Sequence, residues 1–411
     1  MSWPVAPLKR FVDPARPITY GIVQAGPDIL GGVPYVRPVD MTQFGGVVDP
    51  ASLLRTTPEI AESYRRSTIS DGDIVVSIGP SYGKVMTVPV ELSGANLTQG
   101  TARVAPASTV DARFLYWALQ SATSRQFWDS SVSGATFSAL NLEPLGRTPI
   151  PLVPLVEQRR IADFLDAEAR KIEMLASKKR RLISLLEERI DSRILGHVGA
   201  SSLVHAEPSI PVLPIRRLLV KRIRPAAPGV GVVTAYRDGQ VTERGLRRSR
   251  GYTLSASDEP QGQYVQVGDV VIHGLDGFAG AIGSSEADGN CSPVYHVCMP
   301  LGMGDPRYLG RLLRLLAIQG YLGNFAISTR ERAVDFRNWD LFGRIPIPAV
   351  SAGEQRDVGT WITEMRPLRE VVERSRTRAF ERRQALITAA VTGQFDVSTA
   401  SGRNVTEGIT A

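Results

Sequence analysis

The sequence contains few of the residues that cross-link a fold or hold a metal. Its two cysteines, Cys291 and Cys298, are too few for a disulfide framework and indicate buried thiols in a reducing compartment. Its four histidines are scattered without metal-ligand spacing to these cysteines, so no metal site is predicted. No apolar run approaches the roughly 20 residues of a membrane span, and the N-terminus has no signal-peptide pattern. We therefore expect a soluble, cytoplasmic protein with no membrane contact.

Catalytic motifs are missing as well. There is no Gly-x-Ser-x-Gly, no His-Glu-x-x-His, no helix-opening Gly-x-Gly-x-x-Gly and no Asn/Asp-Pro-Pro-Phe/Tyr motif of amino-methylating enzymes. Residues 79–84 are one residue too short for a phosphate loop and predict a hairpin turn. Asp71-Gly72-Asp73 is interpreted as a turn into a buried strand, in which Gly72 relieves backbone strain. We expect no catalytic residue and no cofactor in this chain.

Two long helices are predicted instead. The prolines of 149–154 exclude a helix, and the stretch that follows is rich in charge, with apolar residues at steps of three, four or seven. A similar stretch follows Pro348, although Pro367 should bend or interrupt it. A charged helix with one narrow apolar seam needs a partner helix. The residues predicted to pair the helices are Ile161, Leu165, Ile172, Leu175, Leu182 and Leu186, and Val358, Ile362, Met365, Val372, Ala379 and Leu386.

The chain is an internal duplication. Glu157-Gln158-Arg159 recurs as Glu354-Gln355-Arg356, a shift of 197 residues. A repeat of this kind predicts two similar globular units, each followed by a long helix. Further matching segments are Pro4–Arg10 with Pro211–Arg217, Gly72–Val76 with Gly268–Ile272, and Asp111–Leu115 with Asp305–Leu309.

Each globular unit has a mixed α/β pattern, because short apolar strands alternate with Gly and Pro clusters and are followed by a helix. The predicted helices are Phe114–Gln126 and, in the second copy, Pro306 to about Gly320. The predicted strands are Ile18–Gln24, Val33–Val36, Asp73–Ile78, Lys84–Pro89 and Thr101–Val104, and Gly231–Ala235, Asp269–His273 and Tyr295–Cys298 in the second copy.

The sequence resembles a known family, the specificity subunits of type I restriction-modification systems, over nearly the whole chain. The resemblance is carried by Pro-Leu-Val-Pro-Leu-Val-Glu-Gln-Arg-Arg-Ile-Ala-Asp-Phe-Leu-Asp (151–166), the long helix after it and their weaker copy from Pro348. Tyr20–Pro27 and Val232–Val241 look like the openings of that family's two target recognition domains. The second copy departs from the pattern at Ser351-Ala352-Gly353.

The resemblance implies a mixed α/β fold: two globular target recognition domains separated by two long antiparallel coiled-coil helices, with a pseudo-twofold internal repeat. The expected limits are 1–152 for the first recognition domain, 153–196 for the central helix and 197–350 for the second domain. The C-terminal helix follows at 351–394, and 395–411 is a tail expected to be disordered. Residues 196–202 are interpreted as a small-residue linker.

The resemblance also implies a role and partners. The chain would read a bipartite, asymmetric target in double-stranded DNA and would not itself be an enzyme. It would hold two methylating subunits, which bind S-adenosylmethionine, and restriction subunits that use ATP and magnesium. Alternatives left open are an orphan subunit serving methylation only, a self-contained DNA methyltransferase or nuclease, and a coiled-coil scaffold.

Basic side chains supply candidates for DNA contact, because the net charge of +7 favours a polyanionic partner. A solvated charged face is the competing interpretation for each cluster. The two copies also differ in length early in each unit: Gly72 follows Pro4 by 68 residues, whereas Gly268 follows Pro211 by 57. This difference indicates either different target sequences or ordinary loop drift. The candidates are Arg37, Arg65, Arg66, Tyr82 and Lys84 in the first unit, and Arg244, Arg247, Arg248, Arg330 and Arg332 in the second.

Overall fold

The fold is seen in a computed structural model that describes residues 3–42, 49–132, 139–198, 210–247, 262–325 and 335–399. The chain forms two compact units. The first contains Met1–Lys178 and Ser375–Ala411, and the second contains Lys179–Arg374. Each unit is therefore a globular part together with one half of each of two long helices.

The first globular part is an antiparallel four-stranded sheet, in the order β2-β8-β5-β6, covered by helices. A second sheet, β4-β3-β7, contains one parallel pair, β3 with β7. The elements are β1 Val5–Pro7, β2 Thr19–Tyr20, β3 Val33–Val36, β4 Arg55–Thr56, α1 Pro58–Ser63, β5 Ile74–Ser77, β6 Val85–Thr87, β7 Asn96–Leu97, β8 Thr101–Val104, α2 Ala112–Leu119, α3 Ala122–Val132, α4 Leu142–Arg147, β9 Pro149–Pro151 and α5 Leu155–Val198.

The second globular part repeats the four-stranded antiparallel sheet in the order β11-β18-β15-β16. Its other strands form two separate pairs, β12-β13 and β14-β17. The elements are β10 Val212–Pro214, β11 Leu219–Lys221, β12 Val233–Ala235, β13 Val241–Glu243, β14 Gln263–Val265, β15 Val270–His273, β16 Ile282–Ser284, β17 Gly289–Cys291, β18 Tyr295–Pro300, α6 Pro306–Ile318, α7 Trp339–Phe342, β19 Pro346–Pro348 and α8 Ala352–Thr392.

A central strand is buried on both faces in each unit. Ile74 and Val76 of β5 lie in the apolar cluster that contains α2, whereas Val75 lies in the second cluster, with β3. Successive side chains of a strand point to opposite faces, so β5 separates two apolar layers. The turn before β5 has Gly72 at φ 78°, a left-handed conformation that favours glycine. The prediction of a turn entering a buried strand is confirmed, and Gly268 repeats it at φ 88°.

The repeated N-terminal segment of each globular part forms a strand that pairs with the strand before the long helix. β1 pairs antiparallel with β9, and β10 pairs in the same way with β19. In both units the first strand is therefore joined to the proline-rich strand that precedes the long helix. This pairing explains why the start of each globular part and the segment before each helix are repeated together in the sequence.

Contacts within each unit show that α5 and α8 run antiparallel. In the second unit, Arg193 lies over the Trp361 ring, 5.1 Å from its centroid, and Arg369 pairs with Glu187 at 2.9 Å. In the first unit the ring centroids of Phe164 and Phe395 are 5.6 Å apart. The start of one helix therefore lies beside the end of the other. The predicted mixed α/β fold with two long antiparallel helices is confirmed.

Burial of the predicted seam is uneven. Six of its residues are buried: Ile161, Leu165, Ile172, Val358, Val372 and Leu386. Leu186, Ile362, Met365 and Ala379 are half-buried. Leu175 and Leu182 instead remain 49% and 41% exposed, and their role in pairing the helices stays a prediction. A seven-residue spacing drifts by about 20° per heptad on a regular helix, and a long seam therefore leaves the face on which it starts.

Other boundaries also differ from prediction. The helix predicted at Phe114–Gln126 is two helices, because the Ser121 hydroxyl accepts the N–H of Ser124 and begins α3. The predicted interruption at Pro367 is wrong, since α8 continues through it. Gly196–Val198 of the predicted linker is the end of α5, and residues 199–202 lie outside the described ranges. Val397–Thr399 of the predicted tail is a short 3-10 helix, and 400–411 lie outside the described residues.

Candidate nucleic-acid interface

Lys84 of the first unit holds two parts of the globular fold together. Its Nζ donates to the carbonyl oxygens of Pro38 and Met41, at 2.8 Å each. The turn that contains these carbonyls also holds Arg37, whose guanidinium makes two hydrogen bonds with Asp40 at 2.9 and 2.7 Å. The structure thus brings Arg37 and Lys84 to one turn, but both cations already have internal partners.

The segment 79–84 is the hairpin turn between the antiparallel strands β5 and β6, as predicted. Helix α3 contacts it at two points. Arg125 donates to the carbonyl oxygen of Tyr82 at 3.0 Å, and the Tyr82 hydroxyl bonds to Asp129 at 2.7 Å. Tyr82 is therefore positioned by α3 rather than projecting freely.

Arg65 and Arg66 lie on a short 3-10 helix at Arg65–Ser67 and are both exposed. Arg65 makes one ion pair, with Glu62 at 3.2 Å, in which both side chains are more than two-thirds exposed. Within the described ranges, Arg66 has no ion-pair or hydrogen-bond partner for its side chain. An exposed guanidinium of this kind can bind a phosphate without first losing an internal contact.

The second unit has a cleft of about 620 Å³ beside its β12–β13 hairpin. Its walls include the basic residues Arg237, Arg244 and Arg247. Arg244 begins a 3-10 helix, Arg244–Leu246, and its side chain has no partner in the described part of the chain. The other residues that line the cleft are Val232, Val233, Thr234, Ala235, Tyr236, Asp238, His273, Asp276, Ser292 and Tyr295.

Arg247 is held in place on the wall of this cleft. Its guanidinium pairs with Asp238 at 2.9 Å and lies over the Tyr236 ring, 4.0 Å from the centroid. Burial raises the pKa of Asp238, but hydrogen bonds from Arg247 and from the Gln240 N–H outweigh it and leave the pKa below its ordinary value. Asp238 also accepts from Arg369 of α8 at 3.1 Å. One carboxylate therefore links the cleft to a long helix.

Three predicted candidates, Arg248, Arg330 and Arg332, lie outside the described residues. The sequence alone did not indicate His273 and Asp276, which lie at the end of β15 and just after it and line the same cleft as Arg244. The four histidines show no metal-ligand spacing in the sequence. A histidine that ends a buried strand beside a short loop is the signal that would have found this one.

Two further properties concern only the described ranges. No group of three or more His, Cys, Asp or Glu side chains there could hold a metal ion. Among the helices in those ranges, none combines the length and apolar character needed to span a membrane.

Comparison with known proteins finds similarity to one family, mostly within the first half of the chain. Residues 29–183 match the type I restriction modification DNA specificity domain. The chain is 29% identical over 161 residues to the type I restriction enzyme EcoBI specificity subunit of Escherichia coli, a match that covers 39% of this chain. The match spans only 33% of that relative's length.

Solved structures align loosely with the whole chain. One comes from a study of complex assembly and conformational transition of the type I R-M system, with 16% identity, coverage of 96% and 98% of the two chains, and a TM-score of 0.49. Another is the HsdS subunit from Thermoanaerobacter tengcongensis, with 15% identity, coverage of 96% and 97%, and a TM-score of 0.38.

Proposed function

We propose that the chain is a type I restriction-modification DNA specificity protein and that each of its units reads one half of a bipartite, asymmetric DNA target. The observation that carries this proposal is that the two units repeat one framework but differ in one segment. A shared framework presents two reading surfaces in the same way, and a divergent segment allows each surface to recognise a different sequence.

The shared framework extends to ion pairs between a partly exposed arginine and a buried aspartate. Arg16 pairs with Asp73 at 2.5 Å in the first unit, and Arg224 pairs with Asp269 at 2.6 Å in the second. Both aspartates are almost fully buried and directly precede the central strand. Such matched pairs favour two copies of one scaffold, because each buried carboxylate would be costly without its arginine.

The divergent segment lies between the first strands and the central strand of each unit. In the first unit it forms β3, β4 and α1, whereas in the second it contains the β12–β13 hairpin. Of the candidate arginines, Arg66 and Arg244 lack side-chain partners in the described ranges, and both lie in this segment. Free cations on the divergent part of a repeated fold are what a pair of DNA-reading surfaces requires.

The helices suit a scaffolding role. Each unit contains the start of one long helix packed beside the end of the other. Two similar helix pairs offer two similar surfaces, which fits two identical methylating subunits. Restriction subunits complete the proposed complex, and S-adenosylmethionine, ATP and magnesium bind to these partners rather than to this chain. The chain recognises DNA and assembles the enzyme without catalysing a step.

Reconstitution tests the proposal. The purified chain, its cognate methylating subunit and S-adenosylmethionine are incubated with genomic DNA, and methylated adenines are mapped by sequencing. We expect methylation only when both proteins are present, at a motif of two specific blocks separated by unspecified bases. Methylation by the chain alone, or at a continuous motif, contradicts the proposal. Adding the restriction subunit with ATP and magnesium then distinguishes a restriction complex from a methylation-only system.

A further inference from the structure

His273 occupies a defined place in the cleft of the second unit. It is the last residue of β15, it pairs with Tyr295 of β18, and its ring meets the Tyr295 ring edge-on, with 4.5 Å between centroids. The strand is buried and the aromatic contact restricts the imidazole. His273 is thus a side chain on a rigid element at the wall of the cleft.

The hydrogen bonds of His273 determine its tautomer. Its Nδ1 accepts the backbone N–H groups of Leu275 and Asp276, at 3.1 Å each. A ring nitrogen that accepts carries no hydrogen, so the hydrogen of the neutral ring is on Nε2. Burial and the charge of Arg237 lower the pKa of His273 from its ordinary value, although Asp276 acts in the opposite direction. At neutral pH the side chain therefore offers one N–H donor, and within the described ranges Nε2 has no partner.

The surroundings of this donor suit DNA. Arg244 lines the same cleft and is without a partner in the described ranges, so it can take a phosphate. Phosphate contacts position a protein on the duplex, whereas sequence is read by donors and acceptors at base edges. In the major groove, guanine presents two acceptors, N7 and O6, whereas cytosine presents only an amino donor. An N–H donor at this place therefore distinguishes guanine from cytosine.

The equivalent position in the first unit has no free donor. Ser77 ends β5 and pairs with Thr101, as His273 ends β15 and pairs with Tyr295. The Ser77 hydroxyl donates to the carbonyl of Ser81 at 2.9 Å and accepts the N–H of Lys84 at 2.8 Å. Ser77 is fully buried, and its hydroxyl has no hydrogen left to donate to a base. The two units thus share the backbone position but differ in the chemical group that it presents.

Building on the proposed function, we infer that His273 determines specificity in the second half-site. Its Nε2–H donates to an acceptor on the major-groove edge of one base. Guanine is the most strongly preferred base at that position, and cytosine is disfavoured. Arg244 contributes a phosphate contact that brings this base to the cleft. The role is distinct from the turn-capping role of Nδ1.

Two substitutions separate the two roles of His273. In His273→Asn, the amide oxygen lies where Nδ1 was and can still accept the N–H groups of Leu275 and Asp276, but the Nε2 donor is lost. In His273→Gln, the amide nitrogen reaches the position of Nε2 and keeps a donor, but the cap is lost. Each variant is assembled with the cognate methylating subunit, and methylated adenines are mapped as for the unsubstituted complex.

We expect His273→Asn to accept additional bases at one position of one half-site, with preference there reduced by about threefold to tenfold, the value of one hydrogen bond. His273→Gln should retain that preference while its unfolding temperature falls. The other half-site is the internal control and should not change in either variant. A structural role alone would lower stability without altering the preference at a single position.

The contrary outcomes are distinct. If the unsubstituted complex methylates no bipartite motif, the proposed function fails and the role of His273 fails with it. If the motif is bipartite and His273→Asn retains every base preference, only the inference about His273 is overturned. It is also overturned if both variants lose methylation at all sites together with stability, because His273 would then act only as a cap.

Discussion

Gln158 accepts the backbone N–H of Asp111 at 2.9 Å through its side-chain oxygen, which fastens the first turns of α5 to the beginning of α2. Its amide nitrogen donates to the carbonyl of Val153 at 2.8 Å. Gln355 repeats both bonds in the second unit, with Asp305 at 3.1 Å and Val350 at 3.0 Å. At this buried position the side chain must both donate and accept a hydrogen bond, and an amide can do both. This requirement explains why Gln is the central residue of the repeated Glu-Gln-Arg motif.

Replacing Gln158 by Leu should destabilise the first unit by about 2–4 kcal/mol, because two buried backbone groups would lose their partner. The free energy of unfolding is measured by denaturant titration. Arg159→Leu is the matched control, since Arg159 is exposed on the next position of α5 and should change stability by about 0.5 kcal/mol or less. Equal effects of the two substitutions would contradict the role given to Gln158.

Lys84→Met should lower stability rather than DNA affinity. The substitution keeps the length of the side chain but removes the ammonium that binds the carbonyls of Pro38 and Met41. We expect a loss of about 1–3 kcal/mol in the free energy of unfolding. The salt dependence of DNA binding by the reconstituted complex should not change, and a smaller salt slope would show that Lys84 contacts phosphate instead.

Arg244→Gln should weaken DNA binding to a similar extent for all sequences. Loss of one phosphate contact reduces the slope of log K against log salt by about 0.9, and binding is measured at several salt concentrations. Arg356→Gln removes the same charge from an exposed position of α8 and is the control. If both variants give the same slope as the unsubstituted complex, Arg244 belongs to a solvated charged face.

Arg311 and Arg113 should differ in their effect on stability. Arg311 is 10% exposed and binds Glu187 and Asp191 of α5, whereas Arg113 is 45% exposed and pairs with Asp163 and Asp166. Arg311→Leu should cost about 2–4 kcal/mol because it leaves two partly buried carboxylates short of a partner. Arg113→Leu should cost about 1 kcal/mol or less, as for other exposed pairs. Denaturant unfolding of both variants at one pH decides the comparison.

Acid should destabilise the second unit through His296. The side chain is buried and its Nε2 donates to the carbonyl of Phe336 at 2.6 Å, while within the described ranges its Nδ1 has no partner. Burial and the nearby charge of Lys221 lower the pKa of His296 from its ordinary value, although the bond to Phe336 acts in the opposite direction. Below about pH 6.5, His296 of the unfolded chain therefore binds a proton more readily than His296 of the folded chain. The free energy of unfolding falls as the pH is lowered through this range.

His296→Gln should reduce this acid sensitivity, because its amide can donate to Phe336 and does not titrate. The change in unfolding free energy between pH 7.5 and 5.5 is measured by denaturant titration, followed by tryptophan fluorescence. Trp339 contributes to this signal, and its ring lies 5.3 Å from that of His296. One proton accounts for at most about 1.4 kcal/mol per pH unit. An unchanged pH dependence would show that other groups, including His273, cause the acid loss.

Periodicity and internal repetition determined much of this protein without coordinates. The seam from Ile161 and the repeated Glu-Gln-Arg motif predicted two paired helices and two similar units, because helical spacing and duplication are properties of the sequence order itself. The predicted hairpin at 79–84 and the buried strand after Gly72 are also confirmed, since glycine and short apolar runs act locally.

Only the tertiary structure decided which polar groups are free. Lys84 and Arg244 both look like DNA contacts in the sequence, but Lys84 binds two carbonyls that lie more than forty residues away along the chain. His273 and Ser77 occupy equivalent strand ends, yet the Ser77 hydroxyl is used by Ser81 and Lys84. Whether a donor remains available depends on what packing brings to it, and that proximity in space cannot be deduced from the order of residues.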